Sequence, residues 1–319
     1  MREGLALTGR VVYDSAAKSA LVVREDGMLH IGVMIAATAE SGDLAELARE
    51  AENLGFESFF IPEHPVIPIG FKTVPPGGGE LPEHYGRWMD PFVGLGVAAA
   101  VTKRIKLGTG ICLLPEREPL ITAKTIATLD VVSGGRTILG VGAGWLREET
   151  EAMGAVFATR WKRLRETTEA LKLLWTRPEP SYQGETIRFP AVRCDPKPVQ
   201  PGGPPILLGA HGPKGRERVA RSYDGWCPLA TDPAKFKLEV EELRRLAADR
   251  GRDPSRLHLM AFVPPREDGI SSDQLKAYAE IGLERIVLFS QKDAIAMAHG
   301  RTLEIIRRLA PTVERAARV

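Results

Sequence analysis

Two rhythms of apolar residues alternate along the chain. Short runs with little polar interruption, at 30–36, 56–61, 105–113 and 137–141, fit strands buried on both faces. Between them lie longer stretches with apolar positions three and four apart. The clearest begins at Asp43 and carries Leu44, Leu47, Ala48, Ala51 and Leu54 on one stripe, after which Gly55 occupies the left-handed stop position. The same alternation predicts helices over 91–101, 120–132 and 160–175, the last with Trp161, Leu164, Leu171 and Leu174 on one side. A strand at 205–209, a helix at 214–223 and a short strand at 225–228 follow. Asp232 and Pro233 then supply an N-cap and a first-turn proline to a helix whose stripe is Phe236, Val240, Leu243 and Ala247. Strand 257–263, helix 272–282, strand 284–289 and helix 302–316 end the series.

Eight strand-like runs, each followed by a helix-like run, favour a (β/α)8 TIM barrel over a doubly wound sheet. The ends of the chain support this. Residues 281–288 (IGLERIVL) echo residues 54–61 (LGFESFFI), so a helix-stopping glycine and a strand recur as a barrel of repeated units requires. Two insertion loops break the pattern, one after strand 2 and one before strand 5. Residues 65–88 contain Pro75-Pro76-Gly77-Gly78-Gly79 and read as a mobile loop over the end of the second strand. Residues 178–204 are proline-rich, with a small hairpin over 182–189. The domain plan is therefore one barrel over 30–319 behind a weakly ordered extension at 1–29, with Met28 as an alternative start.

Composition narrows the partners. The 319 residues carry 43 basic and 41 acidic side chains, a formal net charge of +2, with no basic run that would suit nucleic acid or an anionic membrane. Cys112, Cys194 and Cys227 are far apart and form no CxxC pair, which fits reduced thiols in a cytoplasmic protein. The longest apolar stretch, 91–101, is about half a bilayer span. His30, His84, His258 and His299 show no ligand spacing, so a metal site has no support.

In a barrel the chemistry sits where strands run into the loops that follow them. Strand 2 ends in Ile61-Pro62-Glu63-His64, strand 3 in Thr109-Gly110-Ile111-Cys112, strand 4 in Gly142-Ala143-Gly144-Trp145, and strand 5 in Gly209-Ala210-His211-Gly212. His64 is the candidate for proton transfer, because imidazole titrates near neutrality and Glu63 beside it can influence its charge. The glycines strip side chains from the strand ends, so that backbone amides can approach a flat ligand; the plainer reading is a turn linking strand to helix. Gly209 to Gly212, opening a helix, suits a phosphate, with Lys214 and Arg216 as further charge for an anionic tail. Trp145 either walls the pocket against a planar ring or is a core aromatic. Glu148 and Glu149 fall in the first turn of a helix, where carboxylates are favourable anyway, and position alone makes neither catalytic.

Taken in order, Glu63-His64, Leu107-Gly108-Thr109-Gly110-Ile111, residues 134–149, Pro196-Lys197-Pro198-Val199-Gln200 and Pro204-Pro205-Ile206-Leu207-Leu208-Gly209 resemble the luciferase-like monooxygenase family, in particular its coenzyme F420-dependent oxidoreductase branch. The resemblance spans about residues 30–310. It implies a TIM barrel holding a deazaflavin (or, alternatively, FMN) at its C-terminal mouth, a non-prolyl cis peptide at Gly110–Ile111 backing the ring, and proton or hydride assistance from His64. It also implies that Ile61, Glu63, Thr109, Gly110, Ile111, Gly142, Gly144, Trp145, Gly209, Ala210, His211 and Gly212 line the cofactor, that the substrate is a small molecule, and that the protein is a homodimer. One departure stands out: sugar-phosphate dehydrogenases of this branch carry a catalytic glutamate where this chain has Trp145, which argues against glucose-6-phosphate oxidation. Two other classes remain open, a coenzyme-binding protein without turnover and a cofactor-free barrel lyase or isomerase.

Overall fold

The computed structural model describes residues 28–319; the expected extension falls outside them except for Met28 and Leu29. In chain order the strands are β1 (His30–Met34), β2 (Ser58–Ile61), β3 (Lys106–Cys112), β4 (Thr137–Val141), β5 (Tyr182–Gln183), β6 (Arg188–Phe189), β7 (Ile206–Leu208), β8 (Gly225–Trp226), β9 (His258–Val263) and β10 (Arg285–Leu288). All except β5 and β6 close into an eight-stranded parallel barrel in the order β1-β10-β9-β8-β7-β4-β3-β2. The antiparallel β5–β6 pair is the small hairpin expected in the second insert. The molecule is a (β/α)8 TIM barrel, as the alternation of runs predicts.

Around the barrel run α1 (Leu44–Asn53), α2 (Pro91–Val101), α3 (Pro119–Ser133), α4 (Arg147–Ala152), α5 (Arg160–Thr176), α6 (Gly212–Ser222), α7 (Pro233–Ala248), α8 (Ser272–Ile281), α9 (Gln291–Met297), α10 (Thr302–Leu309) and α11 (Pro311–Ala316). Their starts follow local chemistry. Asp90 accepts from Phe92 and Val93 N–H at 2.9 and 3.0 Å ahead of Pro91, and Asp232 accepts from Ala234 at 2.9 Å ahead of Pro233. At the other end of α3, Gly134 takes φ +69°, the left-handed stop that a side chain would resist. The single helix expected over 302–316 divides into α10 and α11 at Pro311, which has no N–H to continue the ladder.

Two apolar layers result. Strand residues that face outward, among them Phe59, Ile61, Leu107 and Leu139, pack beneath the helices. Those that face inward, Met34, Phe60, Ile138, Leu207, Met260, Phe262 and Val287, plug the barrel. Phe60 meets Phe262 edge-on with ring centres 6.0 Å apart. That plug depends on Gly108, where a Cβ would lie 2.1 Å from the Phe60 ring. At the opposite end from the mouth, buried Arg285 of β10 donates to Glu57 at 2.6 and 2.7 Å, pinning the seam where the barrel closes on β1.

Candidate active site

The long inserts and short loops after β2, β3, β4 and β7 gather at one rim. His64, three residues beyond β2, is buried there, and its Nδ1 lies 2.7 Å from Oε2 of Glu149 on α4. Glu149 is fully buried, and its other oxygen accepts from Val66 N–H at 3.4 Å. A carboxylate accepting the Nδ1–H fixes the imidazole tautomer and leaves Nε2 as the atom able to exchange a proton with a ligand. Trp145 stands edge-on to His64 at 5.8 Å between ring centres, with Tyr85 at 5.3 Å and Trp88 at 5.5 Å on other sides. Trp145 is half-buried beside His64 and lies outside the buried core.

The partner of His64 is thus Glu149 and not its neighbour Glu63. The Glu63 carboxylate accepts from Leu113 N–H at 2.6 Å and from Arg117, whose Nε lies 2.7 Å away and whose second contact is also an ion pair. Arg117 in turn reaches Asp90 at 2.7 Å. The Glu63 carboxylate thereby ties the β2 loop to the β3 loop. Ile61 also departs from expectation. It faces the helix layer, where a Cβ on Gly94 of α2 would come within 2.6 Å of it, because alternation along β2 sends Phe60 and not Ile61 inward.

The Gly110–Ile111 peptide is cis, as the resemblance implies, and the register between β3 and β4 shifts between Thr109 and Cys112. The bulge changes what the surrounding glycines do. A Cβ on Gly142 would lie 2.2 Å from Ile111 Cδ1, and one on Gly209 3.1 Å from it, so these two positions are bare to admit Ile111. Their amides are not free for a ligand either: Gly142 N–H donates to Cys112 at 2.9 Å and Gly209 N–H to Val141 at 2.8 Å. Gly110 leaves room for Met34 and Phe262, and the Thr109 hydroxyl donates to Gly140 O at 2.7 Å. Gly144, at φ +75°, turns back against Glu116, whose Oε1 would lie 2.8 Å from its Cβ. The carbonyl of Ala210 accepts from the Trp226 indole at 2.8 Å. By contrast Gly212 opens α6 with nothing within 4 Å of its Cβ position, and the exposed His211 makes no side-chain cap, so the first turn of α6 has no side chain bonded to its amides. Arg216 does not add charge there, since it is buried against Glu239 at 3.1 Å and Glu242 at 2.6 Å.

A second carboxyl lies behind the dyad. Glu116 accepts from the Thr150 hydroxyl at 2.8 Å, and its Oε2 is buried with no hydrogen-bond partner among the described residues. Burial, then the charge of Glu149, push its pKa up to about 8, against the smaller pull of Thr150. The insert over 65–88, expected to be mobile, is fastened at several points. Glu148 accepts from Lys72 N–H and the Thr73 hydroxyl, each at 2.7 Å, and the Thr73 hydroxyl and Lys72 amide together hold its pKa down at about 2. Within the same insert Tyr85 stacks on Trp88 at 4.2 Å and donates to Gln291 at 3.0 Å. Sequence reasoning passed over Glu149, Glu116, Tyr85 and Trp88, and the only signal available was the pairing of Glu148 and Glu149 just past the strand 4 turn.

The sequence profile of the luciferase-like monooxygenases matches residues 27–280. The chain belongs to that family. An uncharacterised protein of Mycobacterium tuberculosis is 39% identical over 272 residues, covering 84% of this chain and 94% of its own length. A protein of Methanolobus tindarius named 5,10-methylenetetrahydromethanopterin reductase is 30% identical over 249 residues, 76% of this chain and 73% of that one. The solved structure of the coenzyme F420-dependent tetrahydromethanopterin reductase from Methanopyrus kandleri superposes with a TM-score of 0.66 over 90% of this chain and 99% of that one; at 19% identity the likeness is one of fold. Among the described residues no helix is long and apolar enough to cross a membrane.

Proposed function

We propose that this luciferase-like oxidoreductase uses coenzyme F420, moving a hydride between the deazaflavin and a small organic substrate while His64 carries the accompanying proton. The observation that carries the reading is the His64–Glu149 pair at the rim, which engages Nδ1 and leaves Nε2 as the exchangeable nitrogen. Two-electron reduction of a C=O group adds a hydride to carbon and a proton to oxygen, and a positioned imidazole is the side chain suited to the second of these. When bound, the deazaflavin supplies the hydride chemistry. The chain's own residues do the rest. Glu149 orients His64, the aromatic rings of Tyr85, Trp88 and Trp145 exclude water from the proton-exchanging atom, and the uncapped first turn of α6 fits a phosphate arm.

The 30% identical relative named as a methylenetetrahydromethanopterin reductase supports a reductase over other barrel chemistries. Trp145 in place of a glutamate speaks against glucose-6-phosphate as substrate. The family's name favours a second reading, an FMN-dependent monooxygenase. Separate anaerobic titrations of the purified protein with coenzyme F420 and with FMN test the choice. Tight binding of F420 alone, with turnover that needs no oxygen, is expected; tight binding of FMN alone with an oxygen requirement would replace the first reading with the second.

A further inference from the structure

We propose that Glu116 is a positioning residue for proton transfer at His64: as a neutral acid behind Glu149, it fixes the segment that carries Glu149 and Trp145 and keeps a single negative charge on the dyad. This rests on the reading of His64 as the proton carrier and adds a further member to its chain of partners.

Glu116 ends the single helical turn that follows β3 (Leu114–Glu116) and is 4% exposed. Its Oε1 has two neighbours from the β4 side of the rim. One is the Thr150 hydroxyl at 2.8 Å; the other is Gly144, where a Cβ would lie 2.8 Å away. Gly144 and Thr150 bracket Trp145 and Glu149, the two residues of this segment that meet His64. The segment needs such a hold, because α4 is six residues long, Leu146 before it gives no side-chain cap, and a helix this short has little stability of its own. Thr150 directly follows Glu149, so Glu116 grips the chain one step from the carboxylate that orients the imidazole.

The hydrogen bonds around Glu116 are best satisfied in the acid form. With its proton on Oε1, the carboxyl donates to Thr150 Oγ1, whose hydroxyl donates in turn to Leu146 O at 3.1 Å. Oε2 is then a carbonyl oxygen, and its lack of a hydrogen-bond partner among the described residues costs far less than a bare charge would. An ionised Glu116 would accept from Thr150 alone and bury its charge facing the fully buried Glu149 and, more weakly, Glu63. The cations nearby are engaged elsewhere. Arg117 pairs with Glu63 and Asp90, while Arg163 and Arg160 donate to Pro115 O at 2.8 Å and Gly144 O at 3.1 Å. The raised proton affinity of Glu116 agrees with this arrangement, burial first and the charge of Glu149 next.

A neutral Glu116 bears on what His64 can do. With one carboxylate behind it, the imidazolium is balanced by Glu149, and the proton on Nε2 can leave for a substrate oxygen. A second carboxylate would hold that proton more strongly and would oppose negative charge developing on the oxygen. The influence of Glu116 on the imidazole runs through Thr150 and Glu149.

NMR titration of the full chain without coenzyme, carrying histidine labelled at Cε1, tests the proposal; the His64 signal is the one lost in His64→Gln. In wild type that signal is expected to move with the ring's own protonation and again near pH 8, as Glu116 ionises. Glu116→Gln keeps an acceptor for Thr150 and cannot ionise, so it should lose the second movement and keep the first. Glu149→Gln should shift the second movement to lower pH, because one of the charges that raise Glu116 is gone; a merely structural Glu116 would not produce that shift. Neighbouring groups do not mimic it, since burial raises Cys112 and Tyr85 and lowers His84, away from this window. A single movement in wild type, a second one that survives in Glu116→Gln, or one left in place by Glu149→Gln overturns the proposal. If Glu116→Gln does not fold, wild type and Glu149→Gln still decide. Because no coenzyme is present, loss of this coupling leaves the deazaflavin reading intact, and failure to bind F420 leaves the coupling intact.

Discussion

At the scale of single residues the site is a problem of who partners whom. His64 was legible because it follows the second strand, but its carboxylate comes from Glu149, 85 positions later, while adjacent Glu63 is taken by Arg117 and a backbone amide. Glu149→Gln should therefore reproduce much of the effect of His64→Ala: turnover lowered by about 10²-fold or more, with coenzyme affinity nearly unchanged. Steady-state kinetics beside binding titrations measure the split, and unaltered turnover in either variant removes that residue from the proton path. Glu116 makes a different prediction. The folded chain keeps its proton up to about pH 8, whereas an unfolded carboxyl releases it near 4.5. In that window the unfolded state binds fewer protons, so this group's contribution to stability is full below 4.5 and is lost as pH rises through 8. Glu116→Gln, which cannot ionise, should raise the melting temperature at pH 7 by the equivalent of up to about 3 kcal/mol and leave it unchanged near pH 4.5. A uniform shift at both pH values contradicts the assignment.

At the scale of elements, the β3 strand shows what an apolar pattern can and cannot tell. Its position as a buried strand follows from composition, yet its details are set by neighbours. Gly108 is bare for Phe60, Gly110 for Met34 and Phe262, and Ile111 fills the space beside Gly142 and Gly209. Glycines that read from sequence as open backbone for a ligand are in part packing sites. Gly108→Ala should accordingly destabilise the barrel by about 1–3 kcal/mol through overpacking against the Phe60 ring, measurable by chemical denaturation. The insert over 65–88 tells the converse story. Its proline and glycine content suggested a free loop, but Glu148 and Glu149 of α4 hold its backbone and its aromatic residues wall the site.

At the scale of the whole molecule, closure of the barrel brings its two ends together. The Glu57–Arg285 pair joins residues 228 positions apart at the seam between β1 and β10. Burial disfavours the Glu57 carboxylate, but the Arg285 charge and hydrogen bonds outweigh it and hold its pKa below the ordinary range. Glu57→Ala would leave the buried guanidinium with only Glu284, 3.4 Å away, as a counter-charge and should cost up to about 3 kcal/mol. In wild type the contribution of this pair is present above the ordinary carboxyl value and is lost as acid protonates Glu57, whereas the variant should show none of that acid dependence when melting is followed from pH 6 to pH 3.

The sequence by itself determined the barrel, because burial on two faces of a strand and one face of a helix leaves a periodic mark in composition that needs no knowledge of contacts. It also located the rim, since the ends of successive strands are adjacent in chain order and the fold sends them to one mouth. Tertiary structure alone decided which rim residues serve chemistry. Glu149 and the Tyr85–Trp88 insert reach His64 through space, Ile61 turns away by strand alternation, and Glu63 and Arg216 are claimed by charges elsewhere in the chain. A side chain's partner depends on distances between segments far apart in sequence, and periodicity carries no record of those.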